Sequence, residues 1–272
     1  MLRTYVFTAL LSLVAMNASA GLYSGPTQTL HAIDAAIPSN SPLFSEWANG
    51  VDATRTYFAP RGSTTISLTG FNSLGDLDAT QIAGGDSPGY LTVTFPTGVR
   101  NGVGPDFAVF ENGFAFGTPN GLFVELAYVE VSSNGVDFAR FPSISTNVAP
   151  VTGSGSFAGY DMSNVYNLAG KHAAGYGTPF NLDDLSTDPL VVAGAVNLAN
   201  VQYVKLVDIP GNGAFLDSEG NPILDNWITT GSGGFDFRMS VGQGVGVLNA
   251  VPEPSTLALA SAAVLLAVRR RR

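Results

Sequence analysis

An all-β fold, a single β-sandwich with no long helix in its body, is what the sequence predicts, on three observations. Between residues 90 and 241, short segments alternate apolar and polar residues and are separated by Gly, Pro and Asn turn signals. Thirty-two glycines and seventeen phenylalanines against only 12% charged residues favour many turns and short strands over helices. Cysteine is absent, so the fold must rest on its core; a body of roughly 230 residues is long enough to build one.

In chain order, residues 1–20 (MLRTYVFTALLSLVAMNASA) place Arg3 before an apolar run and end in Ala18-Ser19-Ala20. That is the layout of a secretory signal helix, with Ala18 and Ala20 small enough for signal peptidase. Residues 21–62 are broken by Pro26, Pro38, Pro42 and Pro60, and the pattern predicts one short amphipathic helix over 43–51. Strands follow over 90–95, with Leu91, Val93 and Phe95 on one face, and over 106–111, between Gly-Pro and Asn-Gly. A long strand over 123–132 turns at Asn134-Gly135 into a partner over 136–141. Two more cover 201–209 and 235–241, the last placing Phe235, Phe237, Met239 and Val241 inward and Asp236 and Arg238 outward. The interval 143–200 reads as an ordered excursion with little strand. Residues 21–250 thus form one domain, and 251–272 a tail with a short hydrophobic helix.

Charge narrows the partners. Between residues 21 and 250 there are seven basic and twenty acidic residues. A body so acidic cannot neutralise phosphates, which excludes nucleic acid.

No His-x-x-x-His pair, Gly-x-Ser-x-Gly elbow, phosphate loop or dinucleotide fingerprint occurs, so no catalytic site is predicted and the chain reads as a non-enzyme. Carboxylates are the informative set. Alternation puts Glu125 on the apolar face with Ala127, Val129 and Val131, where a carboxylate must be paired, protonated or ligating. Asp208, Asp217, Glu219, Asn221 and Asp225 fall within one loop-rich stretch and offer the oxygen donors calcium needs; Ca2+ is the one candidate cofactor. Trp47, Tyr176 and Trp227 are aromatics that can stack on sugars or fill the core.

Two resemblances add to this. Val251-Pro252-Glu253-Pro254-Ser255-Thr256, an apolar run over 257–268 and the terminal Arg269, Arg270, Arg271 and Arg272 resemble the PEP-CTERM sorting signal. The resemblance implies export in a Gram-negative bacterium, processing by an exosortase near Pro252, Glu253 and Pro254, and a final place at the cell surface or outside it. The apolar run, at about 18 Å as a helix, is short for a bilayer core of about 30 Å, which suits transient membrane association. The segments GPDFAVFENGF, ELAYVEVSSNGVDFARFPS, LAGKHAAGYGTPFNLDDL and GSGGFDF are similar to uncharacterised bacterial cell-surface proteins. That likeness implies a jelly-roll sandwich of the galactose-binding type. Here Arg238 stands where that group often has a second acidic residue.

The function expected is a non-catalytic binding or scaffolding module of the envelope or extracellular matrix, with exopolysaccharide or another glycan as ligand. A secreted polysaccharide hydrolase using buried carboxylates, and a purely structural assembly protein, are the alternatives.

Overall fold

The computed structural model describes residues 21–252. The signal helix with Ala18 and Ala20, the tail helix, Glu253, Pro254 and Arg269 to Arg272 lie outside the described residues.

Two five-stranded antiparallel sheets carry the body. In the first, the order is Ile37–Pro38, Tyr176–Phe180, Phe107–Val109, Val245–Val247 and Glu46–Trp47. In the second it is Ala139–Arg140, Ala127–Ser132, Val201–Asp208, Tyr90–Val99 and Gly50–Val51. Every neighbour pair is antiparallel, and alternation turns one row of side chains from each sheet toward the other. Leu91, Val93, Val129, Val131, Val204 and Leu206 from the second sheet meet Phe107, Val109, Phe180, Val245 and Val247 from the first in one core. Phe107 stacks on Phe180 at 5.3 Å, and Phe141 packs edge-on against both. This is a sandwich layout, and among the described residues no helix is long and apolar enough to cross a membrane.

Several elements depart from the sequence pattern. The helix expected over 43–51 is two short strands, because Glu46–Trp47 pairs with Val245–Val247 and Gly50–Val51 with Tyr90–Val99; tertiary pairing overrides a short periodic stretch. A helix not expected, Ala79–Gly84, is set by an Asp78–Gln81 capping box and the left-handed Gly85. The excursion over 143–200 holds five short strands. Val241 is exposed, since the last inward strand stops at Arg238.

The long strand over 123–132 is interrupted. Gly121–Phe123 and Ala127–Ser132 are strands, and between them Val124 N–H donates to Asn226 Oδ1 (2.7 Å) and Leu126 N–H to Asp225 Oδ2 (2.8 Å). Side chains of residues 225–226 replace a neighbouring strand there. Gly121–Phe123 then joins a four-stranded sheet with Phe114–Ala115, Phe157–Asp161 and Thr152–Ser154. That sheet lies over the outer face of the second sheet, where Leu122, Val124, Leu126, Tyr128, Tyr160 and Val207 form a second apolar cluster. Its near end forms one wall of the cavity described next.

Candidate functional site

Three strands each end their inward-facing row in an acid. Phe107 and Val109 are followed in phase by Glu111, Val129 and Ala127 are preceded in phase by Glu125, and Val204 and Leu206 are followed by Asp208. The aliphatic core therefore stops at one end of the sandwich against carboxylates. Asp76, Asp225 and Asp236 arrive from loops and from the strand Asp236–Arg238, and all six side chains are buried. Among the described residues none of the six makes a salt bridge.

Thr229 is the hub of this end. Its Oγ1 lies 2.8 Å from Asp76 Oδ2 and 2.8 Å from Glu125 Oε1, and it accepts from Gly234 N–H at 3.2 Å. A hydroxyl has one hydrogen, so it donates to only one of the two carboxyls. Thr229 N–H already donates to Asp76 Oδ2 (2.7 Å), marking Asp76 as the acceptor; Glu125 must then be the neutral acid that donates to Thr229. The electrostatics agree. Burial, then the charges of Glu111 and Asp236, push the Glu125 carboxyl up to about 11, with Thr229 opposing.

The neighbours are shifted the same way. Burial raises Glu111 to about 8, against backbone N–H groups of Asn112 and Gly113. Asp76, Asp208 and Asp225 are each raised by burial, and Asp208 further by Asp76. Asp208 Oδ1 accepts from Phe235 N–H at 2.7 Å, while its buried Oδ2 has no partner among the described residues. Burial raises Asp236 as well, opposed by hydrogen bonds from Ser73 and from Asn112 Nδ2 (3.0 Å).

In front of Glu125 and Asp236 opens a cavity of about 500 Å³. Asn112, Thr229, Thr230, Ser156 and Ser232 supply hydroxyl and amide groups, and Phe114, Phe123 and Phe157 form a wall. Phe114 stacks on Phe123 at 4.8 Å, and Phe157 lies 5.2 Å from Phe123. Phe114 and Phe157 are 45% and 55% exposed, large apolar areas left open to solvent.

Of the candidate site residues named from the sequence, Glu125 lines this cavity. The five candidate calcium donors do not converge. Asp208 and Asp225 are buried behind the cavity, and Asp217 is occupied with its own turn: its Oδ1 accepts from Glu219 and Asn221 N–H, and its Oδ2 from Ser145 N–H and Asn221 Nδ2, at 2.8–3.0 Å. Among the described residues no group of three or more His, Cys, Asp or Glu is arranged to hold a metal ion. Trp47 packs against Phe44 and Phe110, Trp227 donates to Leu77 O (2.9 Å), and Tyr176 belongs to the first sheet, so none faces the cavity. Two of the three aromatics that do, Phe114 and Phe157, are in Gly-rich GFAFG (113–117) and GSGSFAG (153–159); phenylalanine in a stretch with little else apolar to bury it is the signal that could have found them.

Asp236 was expected to point outward. It does oppose Phe235 and Phe237, but it faces the cavity rather than open solvent.

Compared with protein families, residues 250–272 match the PEP-CTERM protein-sorting motif. No curated protein matches the chain. The motif indicates an exported, envelope-associated bacterial protein sorted by an exosortase. Val251 N–H makes the last backbone tie of the body, to Gly98 O at 3.0 Å, so the described chain leaves the body within the matched segment.

Proposed function

We propose that this exosortase-sorted protein is a non-catalytic glycan-binding module, with a jelly-roll-like sandwich as scaffold and exopolysaccharide of the envelope or matrix as ligand. The observation that carries this is the cavity's make-up: exposed phenylalanine rings together with carboxyl, amide and hydroxyl groups. Sugar rings have the same two-sided chemistry, with C–H faces that lie on aromatic rings and hydroxyls that take and give hydrogen bonds. The volume falls within the range of about 300–1,000 Å³ typical of small-ligand sites. Sorting to the envelope supports this reading, because polysaccharides are ligands available there.

Hydrolysis is the second reading, favoured by one observation: Glu125 keeps its proton at neutral pH, as a general acid must. Glycoside hydrolysis needs a second carboxylate free to attack or to activate water. Asp236 is the neighbour available, and both of its oxygens are taken by Ser73 and Asn112. Binding without turnover is therefore the better fit.

The test is a glycan array with the exported protein, followed by pull-down on host polysaccharide. Retention lost in Phe157→Ala, with the melting temperature kept and no reducing ends released, is the expected result. A blank array and pull-down would remove the glycan reading in favour of a purely structural part, and reducing-end release abolished by Glu125→Gln would establish hydrolysis.

A further inference from the structure

Six buried carboxyls, none in a salt bridge among the described residues and only Asp76 under the charge of a basic side chain, Arg61, leave this end of the molecule short of positive charge. Glu125 and Asp236 front the cavity, and Glu111 lines a small neighbouring pocket with Asn112 and Asp236. Glu125 is only 6% exposed, yet its Oε2 makes no hydrogen bond among the described residues. That oxygen belongs to a side chain lining the cavity and is open to the space a ligand would occupy. Independently, the phenylalanine cluster lines the same cavity, and aromatic faces attract cations as well as C–H groups. An acid and π faces lining one cavity are the complement of an ammonium group carried on a ring.

Resting on the glycan reading above, we infer that the cavity selects a cationic amino sugar, a hexosamine with a free amine, over neutral and N-acetylated sugars. The amine sits against Glu125 Oε2. Asn112, Thr230 and Ser232 serve the ring hydroxyls, and Phe157 with Phe123 covers the ring face. N-acetylation removes the positive charge and adds bulk at the point where Glu125 is closest. A divalent metal in the same place is not favoured, since no group of three or more His, Cys, Asp or Glu is arranged to hold one among the described residues.

The choice of ligand has a proton signature. Glu125 holds a proton in the free protein by donating to Thr229. When an ammonium arrives, the O–H bond breaks, its proton goes to solvent, and the carboxylate formed pairs with the cation. The hydrogen bond to Thr229 survives by reversal, because the Thr229 hydroxyl can turn to donate to Glu125 while Asp76 keeps the Thr229 N–H. Binding of the charged amine is then accompanied by release of up to one proton and strengthens as pH rises, as long as the amine itself stays protonated.

The experiment is calorimetric titration of the exported protein at pH 6.5 with glucosamine tetramer, N-acetylglucosamine tetramer and glucose tetramer, each in two buffers of different ionisation enthalpy. Glucosamine tetramer is expected to bind at least about tenfold tighter than the others, with proton release in that titration alone. Glu125→Gln should abolish the release and bring the three ligands within about threefold of one another, while keeping the residual binding that Phe157→Ala removes. Equal or tighter binding of the acetylated or neutral oligomer would overturn the amino-sugar assignment while leaving glycan binding intact. Failure of all three ligands and of the wider array would overturn both.

Discussion

Asp34 and Glu125 are both almost wholly buried, at 3% and 6% exposure, and the protein treats them in opposite ways. Asp34 meets the ammonium of Lys171, which is itself fully buried, and accepts from Ser24 N–H at 2.8 Å. Burial pushes its carboxyl up, but the charge and hydrogen bond of Lys171 outweigh that and hold it below its ordinary value. Glu125 meets only other acids and one hydroxyl, and is pushed up to about 11. A buried acid that fastens the N-terminal segment to the body has its counter-charge built in; one beside an open cavity has none. The difference separates a structural acid from one that can take its partner from outside.

The comparison breaks most visibly on removal of one partner. Lys171→Met leaves Asp34 buried without its cation and should cost about 3–5 kcal/mol of stability by denaturant unfolding. Glu125→Gln removes no counter-charge, can still donate to Thr229 and lacks an acid that ionises only on unfolding, so at neutral pH it should not lose stability and should gain some. Equal losses in the two variants would show that Glu125 is held by a partner the geometry does not contain.

How much of this contrast was legible in the sequence depends on the range of the contacts involved. Alternation put Leu91, Val93 and Phe95 on one face and all three are in the core, and the same phase put Glu125 inward, where it is. Both depend only on residues two apart along a strand. The hub Thr229 and its acceptor Asp76 are separated by 153 residues and carry no periodicity; only the folded chain brings them together. The expected calcium donors do not converge for the same reason. Asp208, Asp217 and Asp225 are neighbours in sequence, but a strand end, a turn and a loop aim them at three different partners. The break at residues 124–126 was hidden too, because side chains of Asp225 and Asn226, a hundred positions away, end the strand pairing there.

A pH scan sharpens the contrast at the next size of effect. Glu111 and Glu125 have folded values near 8 and 11 against an ordinary 4.5, so the folded state holds more protons than the unfolded state above pH 4.5. Their contribution is full below pH 4.5 and is lost as pH rises through the folded values. Asp34 and Asp217 are lowered instead, and their contribution fades as pH falls below about 4. The melting temperature should therefore climb from pH 9 to about 5 and fall on further acidification. Glu125→Gln should flatten the alkaline side and leave the acid side alone. A melt that weakens steadily from pH 8 to 5 would contradict the raised acids.

Phe157→Ala tests the cavity's phenylalanine wall with a smaller expected change. More than half of the side chain faces solvent, so stability should hold. Loss of one stacking face should lower oligosaccharide affinity by about tenfold, enough to take weak binding below detection by pull-down or titration. An unchanged affinity would move the ligand off the phenylalanine wall.

The smallest expected effect belongs to chelation, and it adds a third kind of acid to the comparison. Asp217 is neither ion-paired nor protonated; burial raises it, but four N–H donors from Ser145, Glu219 and Asn221 outweigh that and hold it low. Both of its oxygens are thereby spent on closing the turn between Asn212–Leu216 and Pro222–Leu224, leaving little acceptor capacity for an ion. Addition of EDTA, or of calcium afterwards, should leave the melting temperature where it was. Asp217→Asn faces an N–H2 group toward those same donors and should lower stability by about 1–2 kcal/mol whether or not calcium is present. A melting point that falls with EDTA in the parent and not in Asp217→Asn would put a metal at this turn and make its acid depend, like Glu125, on a partner from outside the chain.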